Sequence, residues 1–129
     1  MPNGIDNETE LITELINGFR IANKKEPLIL DPDLTLLSKK HAISMFSRFE
    51  ELEHGVLSPL SDPQKRNGWS EEMAGYGVSN NAQEFAKELV LNWLEEDPRK
   101  RKAILKAKSI MGIGLVISGK RIFLTIRVN

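Results

Sequence analysis

The apolar residues near the start of the chain follow a helical period. From Leu11 they recur at the three- and four-residue spacing of one helix face, at Leu11, Ile12, Leu15, Ile16, Phe19 and Ala22. Asp6 or Asn7 can cap this helix together with Glu10. The pattern therefore predicts a first helix with one buried face.

Two further helices have clear start signals. Asp31-Pro32 places a capping aspartate before a proline that suits the first helical turn, and the apolar face of this second helix carries Leu34, Leu37, His41, Ala42, Met45, Phe46 and Phe49. Asn80 or Asn81 with Glu84 opens the third helix, whose inner face is Ala82, Phe85, Ala86, Leu89, Val90 and Trp93. Between these helices, residues 58–68 are rich in turn-forming residues and are predicted to be a loop.

The last third of the chain changes in character. Asp97-Pro98 repeats the start signal and predicts a short basic helix to about Lys106. Residues 110–117 and 121–128 are rich in β-branched residues and flank Ser118-Gly119-Lys120, so they predict a β-hairpin. Gly112 and Gly114 within it are expected to allow close backbone packing. We predict an α+β protein of four helices and a hairpin, with a flexible segment over 1–9 and a single domain over 10–129.

Composition excludes several classes of protein. The 129 residues include 18 basic and 18 acidic side chains and no cysteine, which excludes a disulfide framework and a thiolate metal site. The net charge of zero argues against a general nucleic-acid binder, and no apolar stretch reaches the roughly 18 residues of a membrane span. Met1–Glu10 lack the features of a signal peptide. The protein is therefore either cytosolic or preceded by a leader that has been removed.

Few residues can support catalysis. The chain has only two histidines. His41 lies on the buried stripe of its helix, which favours a hydrogen-bonded core histidine over a functional one. His54 follows the end of that helix, where a side chain can project into a cleft.

Glu96 is unusual for its position. It continues the spacing of Leu89 and Trp93 and so falls on the apolar face of the third helix, in a last turn where the helix dipole disfavours negative charge. Such conflicts are expected at functional sites. The alternative is that Glu96 turns out to solvent at the helix end.

Residues 98–108 carry six basic side chains and no acidic one. This run is either an anion-binding or nucleic-acid patch or a local counterpart to Glu95, Glu96 and Asp97. The balanced total charge and the absence of interleaved aromatic residues favour local neutralisation.

A series of segments resembles the CAP superfamily of cysteine-rich secretory, antigen 5 and pathogenesis-related proteins. Their order and spacing carry the resemblance, over about residues 10 to 128: Leu15-Ile16-Asn17 with Arg20, Pro27-Leu28, Leu30-Asp31-Pro32-Asp33-Leu34, His41-Ala42 with Met45, His54, Glu71-Glu72-Met73-Ala74 with Gly77, Trp93-Leu94-Glu95-Glu96 and Met111-Gly112-Ile113-Gly114. The resemblance implies an α-β-α sandwich. The absence of cysteine suits a bacterial relative.

The resemblance also implies a central cleft with two histidines and two glutamates, often around a divalent metal such as zinc. His54, Glu71 and Glu96 match three of these positions, whereas the second histidine position is Lys100. A protonated lysine has no lone pair for a metal. We therefore expect no metal and no catalytic residue, with Lys100 as a fixed cation paired with Glu71 and Glu96. Zinc on His54, Glu71 and Glu96 is the alternative.

Two hypotheses for function follow from the resemblance. The first is a non-enzymatic binding domain, secreted or at a cell surface and possibly lipid-anchored, that engages a lipid, a sterol or a host partner. The second is a zinc-assisted hydrolase in which His54 and a glutamate activate water. The lysine favours the first, and a cytoplasmic location is the less expected one. The sequence leaves the oligomeric state open.

Overall fold

A computed structural model describes residues 7–53 and 71–129, with the side chains of residues 50–53 left out. Within these ranges the chain forms eight elements: α1 (Asn7–Ala22), β1 (Ile29–Leu30), α2 (Pro32–Glu53), β2 (Glu71–Val78), α3 (Ala82–Glu96), α4 (Pro98–Lys106), β3 (Ile110–Ser118) and β4 (Arg121–Val128). All four predicted helices are confirmed. Helix α1 already begins at Asn7, so residues 7–9 are helical rather than part of a flexible segment. The loop predicted over 58–68 lies outside the described residues.

The four described strands form one sheet in the order β1-β3-β4-β2. The predicted hairpin is confirmed, because β3 and β4 pair antiparallel around a turn in which Gly119 has a φ of 61°. Strand β2 pairs antiparallel with the other side of β4, and the short β1 pairs parallel with β3. The sequence did not predict β1 or β2.

One face of the sheet holds the main hydrophobic core. Side chains of β3 and β4 pack there against α1, α3 and α4, and the buried members include Ile12, Ile16, Ala86, Val90, Trp93, Ile104, Ile113, Leu124 and Ile126. The residues of α1 and α3 among them lie on the apolar faces predicted for the first and third helices, and Ile104 adds a buried side chain from α4. Burial of this surface is the main term stabilising the layer.

The opposite face is covered by α2. Its backbone lies directly over β3, since a Cβ on Gly112 would overlap backbone atoms of Leu34 and Thr35, and one on Gly114 would overlap Lys39. The hydroxyl of Ser38 donates to the carbonyl of Gly112 at 3.2 Å. The predicted close packing at both glycines is confirmed. With helices on both faces of the sheet, the architecture is an α-β-α sandwich.

Candidate cleft between strand β2 and helix α4

The edge of β2 and the first turn of α4 enclose a cavity of about 250 Å³. Its lining residues are Glu71, Glu72, Met73, Ala74, Asp97, Arg99, Lys100 and Ala103. Two of the residues predicted for the cleft, Glu71 and Lys100, therefore line one cavity although they lie far apart in the chain. Glu71 is exposed there.

Lys100 is paired with a residue that the sequence analysis did not select. Its Nζ donates to Oδ2 of Asp97 at 2.9 Å and lies 5.7 Å from the centroid of the Trp93 ring. Within the described residues this ion pair replaces the expected pairing with Glu71 and Glu96. The reason is local, because Asp97 caps α4 and lies one helical turn from Lys100.

Asp97 accepts hydrogen bonds from both backbone and side chain at the start of α4. Its side chain accepts from the backbone N–H groups of Arg99 and Lys100 at 3.2 Å each, in addition to the lysine ammonium. The hydrogen bond from the Lys100 side chain is the main cause that lowers the pKa of Asp97, and the backbone bonds add to it. The start of α4 thus holds a fixed carboxylate–ammonium pair.

Glu96 and His54 are the other two residues predicted for the cleft. Glu96 is the last residue of α3 and is exposed, so the structure favours the interpretation that it turns to solvent, and the expectation that it lies on the buried face was wrong. The helix ends there, and the extended backbone of Asp97 takes the chain into α4. His54 lies outside the described residues. The roles of Glu96 and His54 in the cleft stay predictions.

A second polar cluster lies on the opposite face of the sheet and centres on Glu72. Oε2 of Glu72 accepts from Nη2 and Nε of Arg127 at 2.7 and 2.9 Å, and Oε1 lies 3.5 Å from Nε2 of His41. Nδ1 of His41 lies 3.0 Å from Oγ1 of Thr125. The cluster is largely buried, with the Arg127 side chain 1% exposed. His41 is therefore a hydrogen-bonded core histidine, as predicted.

Sequence reasoning missed this cluster although a signal was present. Glu71 and Glu72 are adjacent in a strand, so their side chains point to opposite faces of the sheet. Arg127 interrupts a run of apolar residues in β4, and a charge in such a run requires a buried partner. The missing step was the recognition of 71–78 as a strand.

The donor set of the cleft does not fit a divalent metal among the residues that the structure describes. No group of three or more His, Asp or Glu side chains there has a metal-binding arrangement. Lys100, which was predicted to take the position of the second family histidine, holds its ammonium against Asp97. A protonated amine cannot act as a ligand, so no chemical step is assigned to a metal here.

The basic run of α4 is only partly neutralised by the neighbouring acids. Of the six cations of residues 98–108, Lys100 alone forms an ion pair with an acid of 95–97 in the described ranges. Nη1 of Arg101 donates to the carbonyls of Leu94 and Glu95 instead. The predicted local neutralisation therefore holds for Lys100 and not for the run as a whole.

Comparison with known proteins decides the family. The family model of the cysteine-rich secretory proteins, CAP, matches residues 13–127. The chain belongs to the CAP family. No curated protein sequence matches this CAP domain significantly. The fold of the chain and its lack of cysteine agree with the prediction that it is a cysteine-free member of this family.

Solved structures show the same fold at low sequence identity. An outer surface protein of Borrelia burgdorferi superposes with a TM-score of 0.63 at 14% identity, covering 97% of this chain and 96% of that one. A cysteine-rich secretory protein of Staphylococcus aureus gives 0.60 at 19% identity, over 98% of this chain and 40% of the other. A hookworm platelet inhibitor gives 0.50 at 16% identity, over 97% and 70%. None of the described helices of this CAP domain is long and apolar enough to cross a membrane.

Proposed function

We propose that this CAP domain is a non-enzymatic binding domain whose cleft has lost its metal site. The observation that carries the proposal is the ion pair of Lys100 and Asp97 at 2.9 Å. The ammonium supplies, as a permanent part of the fold, the positive charge that the family cleft takes from a metal. A fixed cation neutralises carboxylates but generates no metal-bound water.

The partner proposed for the domain is a lipid, a sterol or a host protein. The domain would bind this partner outside the cell or at the cell surface. Membership in a family of secretory proteins and the structural similarity to an outer surface protein support this location. A lipid anchor ahead of the chain is part of the proposal. The cleft and the exposed apolar side chains of β2, Tyr76 and Val78, are the surfaces available for such a partner.

The metal content of the purified protein tests the proposal. We expect less than a tenth of an equivalent of zinc, roughly the background of a nonspecific site, before and after incubation with zinc. Lys100→His should raise zinc affinity, because it restores a neutral imidazole ligand beside Glu71. Lys87→His, on the exposed side of α3, is the matched control and should gain none.

Two outcomes would contradict the proposal. Near-stoichiometric zinc in the wild type, lost in His54→Ala, would favour the zinc-assisted hydrolase with His54, Glu71 and Glu96. No gain of zinc affinity in Lys100→His would show that Lys100 does not occupy the position of the second histidine.

A further inference from the structure

A second and larger concavity lies away from the cleft. It has a volume of about 800 Å³ and runs between the end of α1 and the length of α4. We call it the basic groove. Seven of its lining residues are cationic and one is acidic, Glu26. The cations are Arg20, Lys24, Lys25, Arg101, Lys102, Lys106 and Lys108.

The lysines of the basic groove are available for a ligand. All five are exposed, and none forms an ion pair with an acid among the residues that the structure describes. The two arginines are already engaged with backbone. Arg20 is 2% exposed and donates to the carbonyls of Glu26 and Ile104, at 2.7 and 2.6 Å, and its burial lowers its pKa. The arginines hold the groove together, and the lysines form its charged rim.

Lys24, just after the end of α1, occupies a helix-end position where glycine is usual. The N–H of Lys25 donates to the carbonyl of Arg20 and that of Lys24 to the carbonyl of Ile21, the hydrogen-bond pattern that ends many helices with glycine. Lys24 has a φ of 62°. A lysine in this left-handed conformation is less favourable than glycine, so the fold places a cation here at a cost to backbone energy.

Helix dipoles account for only part of this charge. A cation in the last turn of a helix is favourable, which explains Lys106 at the end of α4. Arg20 already satisfies a carbonyl of that turn. Five exposed lysines around one concavity repel one another, and because the overall charge is zero and Glu26 is the one acid in the described lining, most of the acids lie elsewhere. Such segregation is typical of a surface for an anionic partner.

We propose that the basic groove binds a linear polyanionic polysaccharide, such as a sulfated glycan chain. A concavity between rim lysines lets a single chain contact them along its length, whereas a flat anionic membrane would contact the rim lysines alone and leave the interior of the groove unfilled. Among the residues that the structure describes, no aromatic side chain lines the groove, so the groove offers no stacking of the kind that supports single-stranded nucleic acids. Lysine ammonium groups are compact point charges on flexible stems, so they can reach anionic groups spaced along such a chain.

Calorimetry with a heparin-derived octasaccharide tests this assignment. The wild type should bind it, with affinity falling as NaCl is raised. Lys102→Gln with Lys106→Gln should weaken binding by about 10-fold or more, the scale of losing two charged contacts. Lys87→Gln with Lys120→Gln removes the same charge from exposed sites outside the groove and should change the affinity by less than about 2-fold.

A further variant separates binding from folding. Lys24→Gly removes a rim cation and relieves the left-handed backbone, so it should keep or raise the melting temperature while weakening octasaccharide binding. A fall in melting temperature would contradict the conformational argument for Lys24.

Other outcomes would overturn the proposal. Binding to phosphatidylserine vesicles that depends on Lys102 and Lys106, without octasaccharide binding, would assign the groove to a membrane surface. Binding to single-stranded DNA that depends on Lys102 and Lys106, without octasaccharide binding, would assign the groove to a nucleic acid. Absence of octasaccharide binding, or an equal loss in the Lys87 and Lys120 control, would show that the groove is no glycan site. Neither Glu71 nor Lys100 lines the groove, so these results are independent of the zinc experiment.

Discussion

At the scale of single residues, two glycines decide how close α2 lies to the sheet. The Cα positions of Gly112 and Gly114 face the backbone of α2, and any added Cβ would overlap it. Helix backbone and strand backbone therefore touch without intervening side chains. The sequence predicted close packing at these positions, but the partner became visible only in the folded chain.

Replacing one of these glycines should be severely destabilising. Gly114→Ala places a methyl group into backbone atoms of Ser38 and Lys39, and the free energy of unfolding should fall by about 3 kcal/mol. Gly18→Ala is the control, since nothing lies within 4 Å of that position inside α1, and it should gain about 1 kcal/mol. Denaturant unfolding of both variants measures the difference. Equal effects would show that α2 is not in contact with β3.

The two candidate residues chosen by helical spacing had different outcomes. His41 lies in the middle of α2, where the spacing holds, and it is buried against Thr125. Glu96 lies at the last position of α3, where the next residue leaves the helix, and it is exposed. A periodic pattern predicts burial within a helix, and it loses that power at a helix end because the neighbouring turn is absent.

At the scale of secondary structure, β2 was the element most difficult to predict. Residues 71–78 contain Gly75 and Gly77 and a single β-branched residue, Val78, so their strand propensity is low. The strand forms because every residue of it pairs with β4. The two glycines leave room for side chains of α3, with Leu89 Cδ2 3.0 Å from a Cβ built on Gly75. Tertiary pairing therefore overrides local propensity here.

The junction of α3 and α4 is set by Asp97, which ends one helix and caps the next. Its pKa is lowered chiefly by the hydrogen bond from the Lys100 side chain. A carboxylate with a depressed pKa stabilises the fold above its unfolded pKa, and this contribution is lost as the pH falls through the folded value. The junction is therefore sensitive to acid.

Asp97→Asn tests this dependence, because asparagine keeps the capping oxygen but not the charge. The wild type should be the more stable protein at pH 6, and the two melting temperatures should converge as the pH is lowered from there through the folded pKa of Asp97. Thermal unfolding across this range measures the convergence. In a Lys100→Gln background the pH-dependent difference should largely vanish. A difference that is constant with pH would contradict the ion pair.

At the scale of the whole molecule, the cluster around Glu72 joins the layers. Glu72 lies on β2, Arg127 and Thr125 on β4 and His41 on α2, so one carboxylate connects two strands with the helix above them. The cluster is buried between sheet and helix. A buried charge that loses its partner is strongly destabilising.

Adjacent glutamates offer a matched test of this cluster. Glu72→Gln removes the carboxylate that pairs with Arg127 and should lower the free energy of unfolding by about 3 kcal/mol. Glu71→Gln changes an exposed side chain on the other face of β2 and should stay within about 0.5 kcal/mol of the wild type. Denaturant titration measures both values. Similar losses in the two variants would contradict the assigned faces of β2.

The charge of the molecule is also organised only in three dimensions. The sequence analysis interpreted the basic run of 98–108 as a counterpart to the three preceding acids. The fold instead brings Lys24 and Lys25, from the end of α1, beside Lys102 and Lys106 of α4. A net charge of zero therefore describes the total and not the surface that a partner meets.

The amino-acid sequence by itself determined the four helices, the terminal hairpin, the close packing at Gly112 and Gly114 and, through the order of its motifs, the CAP fold. These features depend on local periodicity, caps and turns, which neighbouring residues specify. Only the tertiary structure decided the strand at 71–78, the Glu72 cluster and the basic groove. Each of these depends on which of several available partners comes within reach, and long-range packing makes that choice.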